Sequence, residues 1–284
     1  MPAVYNSIQV MKVRFWGVRG SIPVPSQATR GLGGNTPCIE VVAGGETIIF
    51  DSGSGIRPLG ERMLKEGKPV RGNVFFTHVH HDHIQGWPFF TPAFIPTNAF
   101  KVYGENKDGK NIGEQLSGIM VPPYFPVPMT FMRSHMEFFD AEAGKPIKLT
   151  PTVTVIPGRL NHQNGALGYR VESVEKGKKR VFTHITDTNH SEDVDQNVVE
   201  LVRDCDAFTY DTMYTPEEWE KKKDWGHSTW LEATKIAKLA KAKRLMLWHH
   251  EPTHTDKIMK KILEDARKEF KKTFLSYEGL ELAF

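Results

Sequence analysis

The sequence predicts an α/β protein in which helices cover both faces of mixed β-sheets within one domain. Strand-like apolar segments bounded by glycine-rich turns recur along the chain, and in both halves strands are followed by helix patterns. The 284 residues show no repeat of fixed period and no low-complexity linker. A single large core is therefore expected, with one domain spanning residues 1–284.

The first half of the chain has the pattern of strands joined by tight turns. "IQVMKVRFWGV" is strand-like, "CIEVVAGGETIIFDSG" predicts two strands around a Gly-Gly turn, and "GNVFFTH" predicts another strand. Prolines are frequent in residues 88–128, including "VPPYFPVP", and predict an extended loop. We expect a proline- and aromatic-rich insertion near 90–140, where Tyr124, Phe125 and Phe131 could stack on a planar base or simply pack a lid or dimer contact.

The second half predicts strands in "TVTVIPG" and "GALGYRVESVEKGKKRVFTHITD", with a hairpin turn at "EKGKK". A charged helix is expected over 191–203, followed by the strands "AFTYD" and, further on, "RLMLWHH". Thr229 followed by Glu232 is a capping-box pattern that predicts the start of a helix. The last helix, in "DKIMKKILEDARKEFKK", is amphipathic, and its expected inward residues are Ile258, Ile262, Leu263, Ala266 and Phe270.

The composition indicates an ordinary globular protein, with 39% hydrophobic and 25% charged residues. A formal net charge of +3 gives no general affinity for nucleic acid or a membrane. Cys38 and Cys205 do not make a disulfide framework, so both are expected as reduced thiols. The N-terminus lacks an apolar signal core, and no apolar run approaches membrane-spanning length. We expect a cytoplasmic enzyme.

The stretch "THVHHDH" places four histidines and an aspartate within seven residues, directly after an apolar strand. Buried imidazoles without partners are costly, so the stretch is either a solvated loop or a metal site. Residues two apart on an extended segment point the same way, so His78 and His80 can share one metal while Asp82 and His83 turn toward another. His81 falls outside this spacing and is expected to be structural. The mixture of imidazole and carboxylate suits zinc, manganese or iron.

Together with "IIFDSGSG", "NHQNGALGYR", "FTHITDT" and "LMLWHH", this stretch resembles the motif set of the metallo-β-lactamase superfamily across nearly the whole chain. The resemblance implies a four-layer αββα sandwich with a two-metal site at its edge. It implies that His162 is the next metal ligand, that Asp187 bridges both metals and that His249 is the last ligand, with His250 as the alternative. Asp51 would accept a hydrogen bond that orients a ligand histidine.

The implied cofactor is a pair of divalent ions, with zinc favoured over manganese or iron. A hydroxide between the two ions would be the nucleophile. The implied first ion is held by His78, His80 and His162, the second by Asp82, His83 and His249, and both by Asp187.

Two further motifs, "FTYDTMY" and "WGHSTW", resemble the tRNase Z-like and related phosphodiesterase branch of the superfamily. The resemblance implies that His227 donates a proton to the leaving alkoxide and that Asp211 pairs with it, where tRNase Z itself uses glutamate. An alkoxide leaves a phosphodiester poorly unless it is protonated, whereas a β-lactam or thioester site needs no such pair. The alternative for His227 is a hydrogen bond at the start of a helix. Asp82 is a further candidate catalytic carboxylate.

"GVRGSIPVP" and "GGNTPCIEV" resemble segments of small phosphodiesterases that hydrolyse cyclic nucleotides or similar cyclic phosphates. Ser21, Asn35 and Thr36 are therefore candidates for hydrogen bonds to substrate, and the alternative is that 33–35 merely form a turn. No segment resembles the flexible basic arm with which tRNase Z clamps tRNA. The near-neutral charge also suits a small substrate.

We therefore expect a dinuclear metal-dependent phosphodiesterase that hydrolyses a small phosphodiester, with His227 as proton donor. The favoured substrate is a 3′,5′-cyclic nucleotide. The alternatives are a tRNase Z-like RNA 3′-processing endonuclease and a thioesterase or lactonase. A non-catalytic metal or nucleotide sensor and a redox di-iron protein are the alternatives from other classes. No nucleic-acid or membrane partner is expected, and a homodimer is the expected assembly.

Overall fold

The structure, a computed structural model, describes residues 11–284 and contains two seven-stranded sheets in that range. The strands of the first sheet are β1 (Lys12–Gly17), β2 (Cys38–Ala43), β3 (Glu46–Phe50), β4 (Arg71–Phe75), β5 (Ala99–Gly104), β6 (His135–Asp140) and β14 (Glu281–Ala283). The strands of the second sheet are β7 (Ile147–Lys148), β8 (Val153–Leu160), β9 (Ala166–Glu175), β10 (Lys178–His184), β11 (Ala207–Asp211), β12 (Leu245–Trp248) and β13 (Thr273–Leu275). The α-helices are α1 (Ile56–Lys65), α2 (His81–Ile84), α3 (Ile112–Ser117), α4 (Gln196–Val202), α5 (Pro216–Trp219), α6 (Trp230–Leu239) and α7 (Asp256–Glu269).

Each sheet changes from antiparallel to parallel pairing partway across. The first has the order β14-β1-β2-β3-β4-β5-β6, antiparallel as far as β3 and parallel from β3 to β6. The second has the order β13-β12-β11-β10-β9-β8-β7, parallel from β10 to β13 and antiparallel elsewhere. Strands that run in the same direction end at the same edge, so the loops that follow them can be brought together.

The two sheets pack face to face, and helices cover their outer faces. The core between the sheets contains Phe50 and Phe75 from the first sheet and Tyr169 and Trp248 from the second. One outer core packs residues of α1 and α3 on the first sheet, and the other packs residues of α4, α6 and α7 on the second. The predicted four-layer αββα fold is confirmed.

Most of the predicted elements are present, but the proline-rich segment is more regular than expected. Residues 88–128 contain β5 and α3, and β6 follows, so the region near 90–140 contributes two strands to the first sheet and is not one extended loop. The prolines cluster outside these elements, where no ladder N–H is needed. Tyr124 and Phe131 are exposed, and Phe125 packs edge-on against Phe89 at 5.8 Å. The part of the first predicted strand before residue 11 lies outside the described residues.

Three details of the helices differ from the sequence prediction. α4 begins at Gln196, five residues after the expected start, because the side chain of Asp195 caps it by accepting from the backbone N–H groups of residues 197 and 198. Thr229 caps α6 and accepts from the N–H of Glu232 as expected, without the return hydrogen bond of a full capping box. In α7 the buried residues include Met259, while the predicted inward residue Ile258 is 41% exposed.

Both cysteines are buried and free, in agreement with the expectation of reduced thiols. None of the helices within residues 11–284 combines the length and the apolar character that a membrane crossing requires. The expected homodimer stays a prediction.

A buried arginine ties the loop after β1 to the C-terminal part of the chain. Arg19 is fully buried, and its guanidinium donates to the carbonyl oxygens of Gly33, Glu251 and His254 at 2.9, 3.3 and 2.7 Å. Asp256 lies 3.8 Å from it and also accepts from the backbone of the same loop. This loop leads to Ser21, so the arginine also positions the edge where the strands end.

We predict that Arg19→Met lowers the free energy of unfolding by about 3 kcal/mol, because three carbonyl groups, one of them in a fully buried hydrogen bond, lose their donor. Chemical denaturation of the two proteins measures this difference. Arg30→Met, in an exposed position of the same loop, is the matched control and is expected to change stability by less than about 0.5 kcal/mol. Equal stability of the Arg19→Met variant and the native chain would contradict the anchoring role.

Candidate metal centre

The predicted site residues follow strands that end at one edge of the sandwich. Asp51 follows β3 directly, and the histidine-rich stretch follows β4. From the second sheet, His162 follows β8, Asp187 follows β10 and His249 follows β12. The parallel strand direction described above therefore collects side chains that lie far apart in the sequence.

The histidine-rich stretch divides at the start of a short helix. His78 and His80 precede α2 in extended backbone, with ring centroids 4.5 Å apart. Asp82 and His83 lie in the first turn of α2 and face elsewhere. His81, which the sequence assigned no ligand role, is exposed. The change from strand-like to helical backbone is what sends the two pairs toward different groups.

The seven predicted ligands form two groups that share one carboxylate, and a third group, Asp187, Asp211, His227 and His249, overlaps the second. Within each group the potential ligand atoms all lie within 4.8 Å of one another. The first group is His78, His80, His162 and Asp187, and the second is Asp82, His83, His249 and Asp187. The structure thus brings together all seven side chains for which a metal role was expected.

The carboxylate of Asp187 lies between the groups, with one oxygen toward each. Its Oδ2 is 3.8 Å from Nε2 of His78 and 3.8 Å from Nε2 of His162. Its Oδ1 is 3.3 Å from Nε2 of His83 and 3.2 Å from Nε2 of His249. This is the placement that a carboxylate shared by two cations requires.

The chemistry of these groups fits a pair of divalent cations. Nε2 of His78 and Nε2 of His83 are buried, and within residues 11–284 neither has a hydrogen-bond partner. Burial lowers the pKa of His78, His80 and His162, so these rings stay neutral and offer lone pairs. Nitrogen and carboxylate donors in this number suit zinc, manganese or iron.

Hydrogen bonds behind the ligands set the orientation of the rings. Nδ1 of His83 bonds the carboxylate of Asp51 at 2.8 Å, and Asp51 also accepts from the backbone N–H of Thr77 at 2.8 Å. Nδ1 of His162 donates to the carbonyl oxygen of Gly226 at 2.8 Å. Each bond leaves Nε2 of the ring to face the centre.

Two of these carboxylates stay ionised despite burial. Burial alone would raise the pKa of Asp51, but the nearby imidazoles of His83 and His184 outweigh it and lower the value to about 2. Burial likewise opposes ionisation of Asp187, and His249 and His83 hold its pKa well below the usual range. Anionic oxygens are therefore present at the centre in the folded chain.

The choice between His249 and His250 is resolved by where their rings lie. Nε2 of His249 is 3.3 Å from Asp82 and close to Asp187, within the second group. The ring of His250 is turned away and bonds the carbonyl oxygen of Ser276 at 2.9 Å. Burial and the nearby Arg19 lower the pKa of His250 to about 3, as expected for a neutral core histidine.

A histidine–aspartate pair lies against the same centre. Nδ1 of His227 is 2.9 Å from Oδ2 of Asp211 and 3.8 Å from Oδ2 of Asp187. Asp211, the last residue of β11, is fully buried and also accepts from the backbone N–H of Thr188. Although burial opposes protonation, Asp211 raises the pKa of His227 to about 9. The ring is thus held by one nitrogen next to the cluster, in the loop before α6.

The three expected substrate contacts are placed differently. The side chain of Asn35 bonds Glu278 and Ser54, and the buried hydroxyl of Thr36 accepts from the backbone of Ser54 and from Gln85. These hydrogen bonds tie both side chains into a network inside the chain. The hydrogen bonds of Asn35 agree with the turn alternative for 33–35, and a role of Asn35 or Thr36 in substrate binding stays a prediction.

Ser21 does lie at the centre, but through its backbone. Its N–H donates to Oδ2 of Asp82 at 2.7 Å, and its side chain is exposed. Ser21 has a φ of 63°, a conformation uncommon for a residue other than glycine. This donor and the carbonyl of Gly226 were both missed from the sequence, since backbone groups leave no signal in residue type. A contact of the Ser21 hydroxyl with substrate stays a prediction.

Comparison with protein families matches residues 46–250 to the model of the "Beta-lactamase superfamily domain". The chain therefore belongs to the β-lactamase superfamily and is a metal-dependent hydrolase with the metallo-β-lactamase fold. Ribonuclease Z of Thermoplasma acidophilum is 25% identical over 95% of this chain and 95% of its own length. Ribonuclease Z of Archaeoglobus fulgidus is 26% identical over 97% of this chain and 99% of its own length.

Solved structures share the same fold. The metallo-β-lactamase fold protein YhfI of Bacillus subtilis superposes with a TM-score of 0.73 at 18% identity, over 97% of this chain and 100% of that chain. A diphosphatase from the PhnP family gives 0.69 at 19% identity, over 96% and 98%. The short form of human tRNase Z gives 0.67 at 21% identity, over 95% and 98%. At these identities the likeness concerns the fold alone.

We predict that the purified chain binds about two divalent ions, and that His249→Ala reduces this to about one, because the second group loses a nitrogen ligand. Elemental analysis after dialysis measures the metal content. His81→Ala, which removes an exposed histidine of the same motif region, is the matched control and is expected to retain both ions. An unchanged metal content in His249→Ala would contradict its assignment as a ligand.

Proposed function

We propose that this chain is a metal-dependent phosphodiesterase of the ribonuclease Z type, which cleaves an RNA next to its 3′ extension. The observation that carries the proposal is the His227–Asp211 pair, held at 2.9 Å beside the metal-ligating cluster. A phosphodiester expels an alkoxide that needs a proton, whereas a thioester expels a thiolate, which leaves without one. The curated relatives named Ribonuclease Z support RNA as the substrate.

The chain's own residues divide the chemical work. The seven ligand side chains would hold two divalent ions, for which we propose zinc, and such ions neutralise phosphoryl charge and activate water. His227 is fixed through Nδ1, and its Nε2 makes no hydrogen bond to any residue of 11–284. That nitrogen can carry a proton to the leaving oxygen, while Asp211 keeps the ring oriented and stabilises its charged form. We propose the cytoplasm as the site of this activity.

A second candidate is the small cyclic phosphodiester expected from the sequence. The comparisons favour ribonuclease Z over this substrate, although the fold is also that of a diphosphatase from the PhnP family. Two observations favour the small substrate. Between His162 and Asp187 the chain forms only the β9–β10 hairpin, with a short turn at 176–177, so this segment has no long loop that could hold an RNA. The net charge of the chain is also only +3. Affinity for a long RNA usually rests on many phosphate contacts.

We predict that the metal-loaded protein cleaves an RNA with a 3′ extension faster than it hydrolyses 3′,5′-cyclic AMP or cyclic GMP. Gel analysis of the RNA and chromatography of the mononucleotides, side by side with zinc and with manganese, measure the rates. Faster hydrolysis of a cyclic nucleotide would show that the preferred substrate is the small phosphodiester and not RNA. Turnover of esters alone would contradict a phosphodiesterase, and bound ligand without any turnover would indicate a sensor.

We predict that His227→Ala lowers kcat on RNA by about 10²–10⁴-fold. Its effect on a p-nitrophenyl phosphodiester is expected to be below about tenfold, because nitrophenolate leaves without a proton. Metal content is measured in the same sample and should be unchanged. His135→Ala, an exposed histidine outside the cluster, is the control. Equal losses on the two substrates would contradict the role of proton donor.

A further inference from the structure

A cavity of about 510 Å³ opens directly beside His78 and His80. Its walls come from the loops after β4, β5 and β8 and from α3. The volume lies in the range of pockets that enclose a small organic group. Because His78 and His80 form part of its wall, a group bound in this cavity lies next to the metal-ligating cluster.

We propose that this cavity is a nucleoside subsite, which holds the base and sugar on the non-leaving side of the scissile phosphate. The proposal rests on the proposed phosphodiesterase function. The cavity is lined by Gln163 and not by His227, and the amide of Gln163 donates to the carbonyl oxygen of Asp224 in the loop before His227. The leaving group belongs on the His227 side, so the other substituent of the phosphate is the one that can enter the cavity.

The surfaces of the cavity match a nucleoside. Phe76, Val79 and Ile112 supply apolar wall, which suits the face of a base. Gln115 uses its amide N–H groups on the carbonyl oxygens of Glu105 and Lys110, at 2.8 and 3.0 Å. Its own carbonyl oxygen accepts no hydrogen bond within residues 11–284 and is available to an exocyclic amine or a sugar hydroxyl.

The charges at the cavity argue for an uncharged group and against a second phosphate. Lys107 contacts Glu105 and donates to the carbonyl oxygen of Asn164 at 2.6 Å. Glu105 also binds Arg159, and Asp108 lies in the wall as well. The wall itself therefore holds one cation, Lys107, and two carboxylates, Glu105 and Asp108, so it has no net positive charge to attract a further anion.

A larger cavity of about 730 Å³ lies beside α4, away from the centre. No metal-ligating residue named above lines it, and its cations are paired, for example Arg170 with Glu172 and Lys243 with Asp206. It offers neither free charge nor a reacting group. The smaller cavity is therefore the one linked to chemistry.

The experiment compares two substrates with the same leaving group. Uridine 5′-(p-nitrophenyl phosphate) carries a nucleoside, and methyl p-nitrophenyl phosphate carries a methyl group in its place. The ratio of their kcat/KM values measures what the nucleoside contributes. Gln115→Trp fills the cavity and is expected to lower this ratio at least about tenfold, since a group that fits an apolar pocket is then excluded.

Two further variants separate the effect of filling the cavity from the loss of the Gln115 hydrogen bonds and from the effect of an added indole outside the cavity. Gln115→Leu removes the same hydrogen bonds without filling the cavity, and a fall of about two- to fivefold in the ratio is expected from the lost acceptor. Lys110→Trp places an indole on an exposed neighbour that does not line the cavity, and the ratio should stay within about twofold. A short RNA and 3′,5′-cyclic AMP, tested with the same variants, show which source of nucleoside the cavity serves; RNA is expected.

The outcomes distinguish the two proposals. Cleavage of both substrates with an unchanged ratio in Gln115→Trp overturns the nucleoside subsite and leaves the phosphodiesterase function intact. Cleavage of neither substrate by metal-loaded native protein overturns the function. In that case, and also if Gln115→Trp does not fold, calorimetric titration of the native protein with uridine 5′-monophosphate decides. Binding with a Kd of about 1 mM or tighter supports the subsite, and absence of binding overturns it.

Discussion

The buried carboxylate of Asp187 is the interaction on which the rest of the site depends. Taken alone, a charge at this depth would be strongly unfavourable, and it is tolerated because histidines from both sheets surround it. The two sheets are therefore joined at this edge by mutual charge compensation, in addition to the apolar core between them.

Three residues at or directly behind the centre have a backbone conformation that is unfavourable for residues other than glycine. Ser21, Asp51 and His249 all have positive φ values, between 58° and 63°, although none is a glycine. Each such conformation costs about 1–3 kcal/mol and persists only where its surroundings determine it. In each case the unusual turn aims a group at the centre or directly behind it: an N–H, a carboxylate or an imidazole. Stability is given up locally so that these groups have one orientation.

The sequence predicted which side chains lie together at the centre, because the signal of the histidine-rich stretch is chemical and local; their role as metal ligands stays a prediction. Four histidines within one strand-end stretch have few structural explanations, and the partners on the second sheet follow strands of recognisable pattern. The proline-rich region was harder, since β5 lies between turns and its pairing partners are distant in sequence. Asn35 and Thr36 could not be judged, because their hydrogen bonds go to residues such as Glu278 and Gln85, which only the folded chain brings near.

The hydrogen bond from His162 to Gly226 has a consequence for how the two halves of the site respond to each other. Gly226 has a φ of 82°, and a Cβ there would overlap the side chains of Gln163 and His162, so the loop approaches as closely as backbone can. The next residue is His227. His162, a ligand of the first group, is thus hydrogen-bonded to the residue directly before His227, the candidate proton donor. A change that fixes the position of one ring therefore restricts the other. Thermodynamic linkage makes this reciprocal: occupancy of the first group and affinity for the leaving group should rise and fall together.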